Sequence, residues 1–178
     1  LSRPMLQHIS VVAAQDEGTA ARFSVLGVPA NRLQVTGSLK FDFSPPEGLQ
    51  VRADALARDW QLSGRPVLVA ASTHEGEDAP VLAAFARIRE QLPSALLILV
   101  PRHPERFDSV ARQVVESGLS LSRRSVGQSV DASTMVFLGD SMGELLLWFA
   151  LADVAFVGGS LVPVGGHNML EPIALDVP

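Results

Sequence analysis

Four short, uninterrupted apolar runs, at 67–70, 96–100, 135–138 and 154–157, constrain this chain more than any other feature. A strand with one wet face alternates apolar and polar residues, whereas a continuously apolar strand needs cover on both faces, as in a parallel sheet. Helix-spaced segments lie between the runs. Val81, Phe85, Ile88 and Leu92 recur at i, i+4, i+7 and i+11, and Phe107, Val110 and Val114 at i, i+3 and i+7. Pro104 suits a first helical position with Glu105 beside it, and Gly118 suits a helix end. This alternation predicts an α/β fold, a Rossmann-like parallel sheet with helices on both faces.

Upstream, 9–13 reads as a strand, 16–26 as a capped helix ending at Gly27, and 33–35 as a second strand, one further β-α-β unit. GSLKFDFSPPEG at 37–48 has the Gly, Pro and Ser content of a hinge. We therefore expect residues 1–42 to be the end of one domain with the start of the hinge, and 43–178 to be most of another. The helix after the hinge carries Leu49, Ala53, Leu56 and Trp60 on one face.

With 47% apolar residues in 178, the chain can bury a sizeable core. A net charge of −5 and no Lys/Arg-rich run argue against a nucleic-acid surface, although a local pocket can still be basic. The absence of cysteine excludes disulfides and thiolate catalysis. The longest apolar run, 145–152, is interrupted by Asp153 and falls well short of the ~20 residues that span a bilayer. There is no signal-peptide layout. The chain starts without Met and stops at Asp-Val-Pro as a helix is closing, which reads as an excerpt of a longer protein, soluble as it stands.

The polar clusters share one address. AASTHEGE follows the first apolar run, VPRHPERF the second, GDSMGE the third, and VGGS with GGHNMLEP the fourth. All four therefore fall at the carboxyl ends of parallel strands, where open α/β sheets bind ligands. In the last cluster Gly165 and Gly166 permit positive φ and close approach to the backbone. The helix start that follows would offer N–H groups to an anion, and Glu171 could accept from a sugar diol on the same side as His167. The same residues also read as a tight turn with Asn168 as a cap and Glu171 favouring the first turn. Arg102 could clamp a phosphate or carboxylate, or could pair with a neighbouring acid while His103 caps a helix; Arg106 reads as a surface residue. Ser141 and Glu144 form an S-x-x-E capping box, with Gly143 in the first turn making room for a ligand. Ser72, Thr73 and His74 could supply donors, or form a solvated loop. Lys40, the only lysine, lies in the hinge, either solvated or reaching a cleft. The histidines at 8, 74, 103 and 167 lack metal-ligand spacing, and no P-loop, G-x-G-x-x-G or G-x-S-x-G occurs.

Taken together, TGSLKFD, AASTHEGE, LLILVPRHPERF and GDSMGELLLWFALADVAFVGGSLVPVGGHNMLEP resemble the 3-deoxy-D-manno-octulosonic acid (Kdo) transferases of lipopolysaccharide synthesis. The resemblance runs through most of the chain in order. It implies the two-domain GT-B arrangement, with this chain holding the last β-α-β of the acceptor domain, the hinge and most of the donor domain. It further implies inverting, metal-independent transfer of Kdo from CMP-Kdo to a lipid A precursor at the cytoplasmic face of the bacterial inner membrane, with no cofactor. Pro101 and Arg102, then Met142, Gly143 and Glu144, then Asn168, Met169, Leu170 and Glu171 would line the CMP site. Ser72, Thr73, Lys40, Gly165, Gly166 and His167 are further candidate donor contacts. Met169 stands where many relatives have proline, and Val164 where a basic residue is common. The general-base glutamate and the membrane-associating segment belong to the amino-terminal part that this chain lacks, so the excerpt is expected to bind donor without turnover. Two rival readings are a nucleotide-sugar epimerase of GT-B architecture, which would prefer a uridine nucleotide, and a nucleotide-binding module without catalysis.

Overall fold

The computed structural model describes residues 2–38 and 44–178. They belong to two compact units, Leu1–Phe43 and Ser44–Pro178. Lys40 lies outside the described residues.

In the first unit, α1 (Ser2–Leu6) precedes β1 (Val12–Ala14), α2 (Glu17–Val25) and β2 (Leu33–Val35). The strands are parallel, with Val12 opposite Leu33 and Ala14 opposite Val35. Asp16 caps α2 by accepting from the Thr19 N–H at 2.6 Å, and Gly27 turns the chain out with φ +99°. The first strand is shorter than the expected 9–13. Ile9 belongs to a turn closing α1, its N–H donating to the Leu6 carbonyl, while the Arg32 guanidinium donates to the carbonyls of Gln7 and Ile9. Ile9 is apolar because it packs on Leu6, Val12 and Val28, not because it extends a strand.

The second unit contains α3 (Leu49–Asp59), β3 (Val67–Thr73), α4 (Asp78–Gln91), β4 (Leu96–Pro101), α5 (Phe107–Glu116), β5 (Leu121–Arg123), β6 (Val136–Leu138), α6 (Leu145–Phe149), β7 (Val154–Val157) and α7 (Leu170–Ile173). A 3-10 turn at Pro104–Arg106 leads into α5. The five strands form one parallel sheet in the order β5-β6-β4-β3-β7. This is the α/β, Rossmann-like architecture that the apolar runs predict. β5 was not among the expected strands, because three residues at a sheet edge carry too short a pattern to stand out.

The central strands are covered on both faces, which is why their sequences are continuously apolar. Leu96, Ile98 and Val100 join Trp60, Phe137, Trp148 and Phe149 on the side of α3 and α6. Leu97 and Leu99 join Phe85, Val110 and Val114 on the side of α4 and α5. Trp60 and Phe137 approach to 4.5 Å between ring centroids, and Trp60 stacks on Trp148 at 6.1 Å. Truncating a ring at this position typically costs 3–5 kcal/mol, so this aromatic layer fixes how α3 and α6 lie on the sheet. Leu92, expected on the buried stripe of α4, instead ends that helix and is 46% exposed. No described helix is long and apolar enough to cross a membrane.

Candidate functional site

The carboxyl end of β3 sets the geometry of the site. Ser72 adopts a left-handed backbone, φ +57°, where the register with β4 shifts between Ala71 and Thr73. A non-glycine residue in that region is strained by roughly 1–3 kcal/mol, and such strain concentrates at binding sites. Here it presents the Ser72 side chain to a cleft of ≈ 250 Å³ lined by Ala71, Ser72, Arg102, Leu145, Phe149, Val157, His167, Asn168 and Glu171. β7 can lie so close only because it ends in glycine. A Cβ on Gly158 would sit 2.2 Å from the Ser72 carbonyl oxygen, and one on Gly159 2.6 Å from the Gly165 carbonyl. Close approach therefore belongs to Gly158 and Gly159, whereas the sequence reading gave it to Gly165 and Gly166. Gly165 does need its positive φ of +80°, though a Cβ there would meet nothing within 4 Å, and a Cβ on Gly166 would meet only Ser160 Oγ at 3.9 Å.

One buried carboxylate ties these loops together. Glu77 is fully buried and accepts four backbone N–H bonds, from His74 at 2.9 Å, Gly159 at 2.8 Å, Ser160 at 3.0 Å and Leu161 at 2.9 Å. Burial pushes its pKa up, and the four donors outweigh burial and hold it below the ordinary value. In sequence AASTHEGE reads as a source of hydroxyl and imidazole donors, and nothing in it singles out Glu77. A glutamate just ahead of a helix looks the same in sequence whether it favours that helix or latches a distant loop.

A second network lies beneath. Thr73 is fully buried and its hydroxyl donates to Asp78 Oδ1 at 2.7 Å, so it is not a free donor for a ligand. Arg106, expected on the surface, instead pairs with the buried Asp78 carboxylate and donates to the Thr73 carbonyl. The 3-10 turn after Pro104 aims its side chain inward, where it offsets the charge of Asp78.

The predicted site residues fall into two groups. Arg102, Asn168 and Glu171 share the cleft with Ser72 and His167, and Pro101 is the buried strand end beside it. Among the described residues Arg102 and Glu171 make no ion pair, so opposite charges face one cleft without neutralising each other. Asn168 Oδ1 accepts from the Leu170 N–H at 3.1 Å, but α7 begins only at Leu170, so His167 and Glu171 do not share a helical face as the sequence suggested. Met169, Gly165 and Gly166 are exposed and Leu170 is half-buried; none of the four lines the cleft.

Met142, Gly143 and Glu144 sit on the neighbouring loop after β6, outside the cleft lining. The expected capping box is not formed. Glu144 occupies the N-cap position of α6, its carboxylate accepts from Ser141 Oγ at 2.5 Å, and Arg124 grips it bidentately, Nη2 to Oε1 at 2.7 Å and Nε to Oε2 at 2.8 Å. The Arg124 bonds hold the Glu144 carboxyl below its usual range, burial opposes them, and Ser141 assists. Gly143 precedes the helix, with φ +79°. Arg124 was missed because its role arises from a contact twenty residues away across β5 and β6.

Three histidines gather at the edge of the cleft. His74 Nε2 and His167 Nε2 are 2.6 Å apart, and the His103 ring lies edge-on to His74 at 5.4 Å between centroids. His103 does not cap the helix that follows. Burial, then the neighbouring charges of His74 and Arg102, lower the His167 pKa, with Glu77 acting the other way. No metal-binding group of three or more His, Cys, Asp or Glu occurs among the described residues. A wider depression, ≈ 1040 Å³, lies at the amino ends of β3 and β7. Two of its charged groups are engaged by the fold: Arg65 donates to the carbonyls of Ser94, Asp131 and Thr134, and Asp153 accepts from the Val67 N–H.

A five-stranded parallel sheet flanked by helices, with a cleft at its carboxyl end, defines the class of the second unit: it has the fold of a GT-B donor domain. The crystal structure of the C-terminal CMP-Kdo binding domain of WaaA from Acinetobacter baumannii superposes with a TM-score of 0.71 at 48% identity, covering 75% of this chain and 69% of that one. Residues 1–43 match the family model for 3-deoxy-D-manno-octulosonic-acid transferase (kdotransferase). The 3-deoxy-D-manno-octulosonic acid transferase of Haemophilus influenzae is 44% identical over 174 residues, and that of Bordetella pertussis 42% over 181. These alignments take in 98% and 99% of the chain but only 40% and 41% of those proteins. The chain belongs to the Kdo transferase family.

Proposed function

We propose that the second unit binds CMP-Kdo, and that the protein to which this chain belongs transfers Kdo to a lipid A precursor with inversion at the anomeric carbon. The observation that carries this reading is Arg102 and Glu171, without an ion pair among the described residues, facing one cleft beside the strained Ser72. CMP-Kdo carries a phosphodiester, a sugar carboxylate and a ribose diol. Arg102 suits the anionic part, where a guanidinium can form two charge-assisted bonds, and Glu171 suits the diol, which needs acceptors. Negative charge grows on the departing CMP phosphate, so donors already in place stabilise the transition state more than the bound substrate. The resemblance implies that this is done without a metal. Backbone N–H groups around Asn168 and the loop Met142, Gly143 and Glu144 complete the nucleotide contacts in this reading, with the Ser72 hydroxyl and the backbone of Gly165, Gly166 and His167 toward the sugar.

The general base that deprotonates the acceptor hydroxyl belongs to the acceptor domain, of which the first unit is the last part in this proposal. The lipid acceptor and the cytoplasmic face of the inner membrane are reached through that domain. The present chain is accordingly expected to bind donor nucleotide without turning it over.

Calorimetric titration of the chain with CMP and with UDP tests the reading. We expect CMP to bind more tightly, and Arg102→Ala and Glu171→Ala each to weaken it about tenfold, the loss typical of a hydrogen bond to a charged group. Preference for UDP would favour a GT-B epimerase instead. Unchanged CMP affinity in both variants would remove the site assignment.

A further inference from the structure

We infer that His74 and His167 are the anion-responsive pair of this cleft: empty, they hold each other through one shared N–H···N bond; filled, each turns its Nε2–H onto an anionic oxygen of the ligand. The inference rests on the cleft being the donor site, and it concerns which groups change state when the donor arrives.

At 2.6 Å there is room for one proton between the two nitrogens. One ring must donate and the other accept, so both cannot carry a proton at Nε2 while they remain paired. Both rings are mounted on the loops that Glu77 latches. The His74 N–H is itself one of the four bonds to that carboxylate, and the His167 N–H donates to the Gly158 carbonyl beside the other three. The rings can therefore separate by side-chain rotation without moving their backbones.

The surrounding charges favour this exchange. Arg102 faces the pair from the end of β4, and His103 from the same segment, with Glu105 4.0 Å from its Nδ1. Glu77 lies below, committed to backbone donors, and Glu171 faces the same cleft from α7. Burial and then the charges of His74 and Arg102 lower the His167 pKa, so the empty cleft disfavours the charged form of that ring. An anion lodging against Arg102 reverses the sign of the local field, so the second ring gains a proton from solution as the N···N contact opens. The ligand chemistry is an oxyanion, supplied either by the nucleotide phosphate or by the sugar carboxylate.

The test is calorimetry of the 178-residue chain in pairs of buffers with unlike ionisation heats, from about pH 6 to about pH 8, the range in which imidazole titrates. The ligands are CMP, cytidine and free Kdo, and the proteins are the parent, His74→Asn and His167→Asn. Because the CMP phosphate titrates in the same range, the quantity read is the difference between parent and variants. We expect the parent to take up more protons than either variant on binding CMP or Kdo, cytidine to show no difference, and parent affinity to rise roughly three- to tenfold more than variant affinity as pH falls across the range. Uptake with CMP assigns the phosphate, and uptake with Kdo alone assigns the carboxylate. Equal uptake in parent and variants overturns the inference while leaving the donor site standing; no binding of CMP overturns both. If a variant does not fold, histidine 15N shifts of the parent decide. One protonated and one bare Nε2 without ligand, both protonated with it, is the expected result, and two independently titrating rings would overturn the inference.

Discussion

Two glutamates border the same sheet end and do opposite work. Glu77 is fully buried and bonded only to backbone N–H groups, so it is part of the wiring that holds the β3 and β7 loops together. Glu144 has a side chain 16% exposed, and its partners, Arg124 and Ser141, are side chains free to rotate. A carboxylate that satisfies main-chain donors fixes where a site is. One that satisfies side chains can be released to a ligand. The difference implies unequal consequences when each is removed.

The largest effect is expected for Glu77→Ala, which strands four backbone donors, one buried and three part-buried. Leaving one buried and three part-buried donors unpaired costs on the order of 3 kcal/mol in total, and urea unfolding of the chain would read it. Glu77→Gln separates charge from shape. Because the folded-state pKa of Glu77 is depressed, its contribution is fully present above the unfolded value and is lost as pH falls through that value toward the lower folded one. Asp16, Asp131, Asp140 and Glu144 are depressed as well, so the parent slope is a sum. The gap between parent and Glu77→Gln should narrow on acidification below about pH 4.5. A loss under ~1 kcal/mol for Glu77→Ala would mean the loops hold each other without the latch.

The same pair shows what could be read before coordinates. The apolar runs announced the parallel sheet because burial on both faces leaves no polar residue in β4, in β6 or at 67–71 of β3, and the clusters at their ends announced the cleft by simple topology. Arg102, Asn168 and Glu171 do meet there. What could not be read is who bonds to whom. Arg106 and Thr73 have ordinary surface identities and are bound to a buried Asp78, and Arg124 reaches Glu144 only because β5 lies beside β6. Pattern periodicity carries burial; it carries no information about pairs of polar groups brought together by separate strands.

A smaller effect is expected at the fork. Arg124 is 46% exposed, and exposed or half-exposed ion pairs contribute ~0–1 kcal/mol after solvent screening. A double-mutant cycle over Arg124→Ala and Glu144→Gln should give a coupling near 0.5 kcal/mol that shrinks with added salt, and CMP binding should weaken more than folding. A coupling above ~2 kcal/mol, independent of salt, would put this pair in the same category as the buried latch.

The smallest effect is expected beyond the latch, at Gly166→Ala. A Cβ there meets only Ser160 Oγ at 3.9 Å, ordinary contact, in contrast to the 2.2 Å collision at Gly158 earlier in the same stretch. With the native backbone open to alanine, the substitution removes freedom mainly from the unfolded chain, and stability should hold or rise by up to ~1 kcal/mol. CMP affinity should fall less than about threefold, since ~0.6 kcal/mol is all that a displaced solvent contact represents. Should Gly166→Ala abolish CMP binding while the chain unfolds as before, the ligand itself would need the space above that residue. The tight approach found at Gly158 and Gly159 would then have a counterpart that forms only in the complex, and the part of the loop that Glu77 does not hold would be the part that closes on the donor.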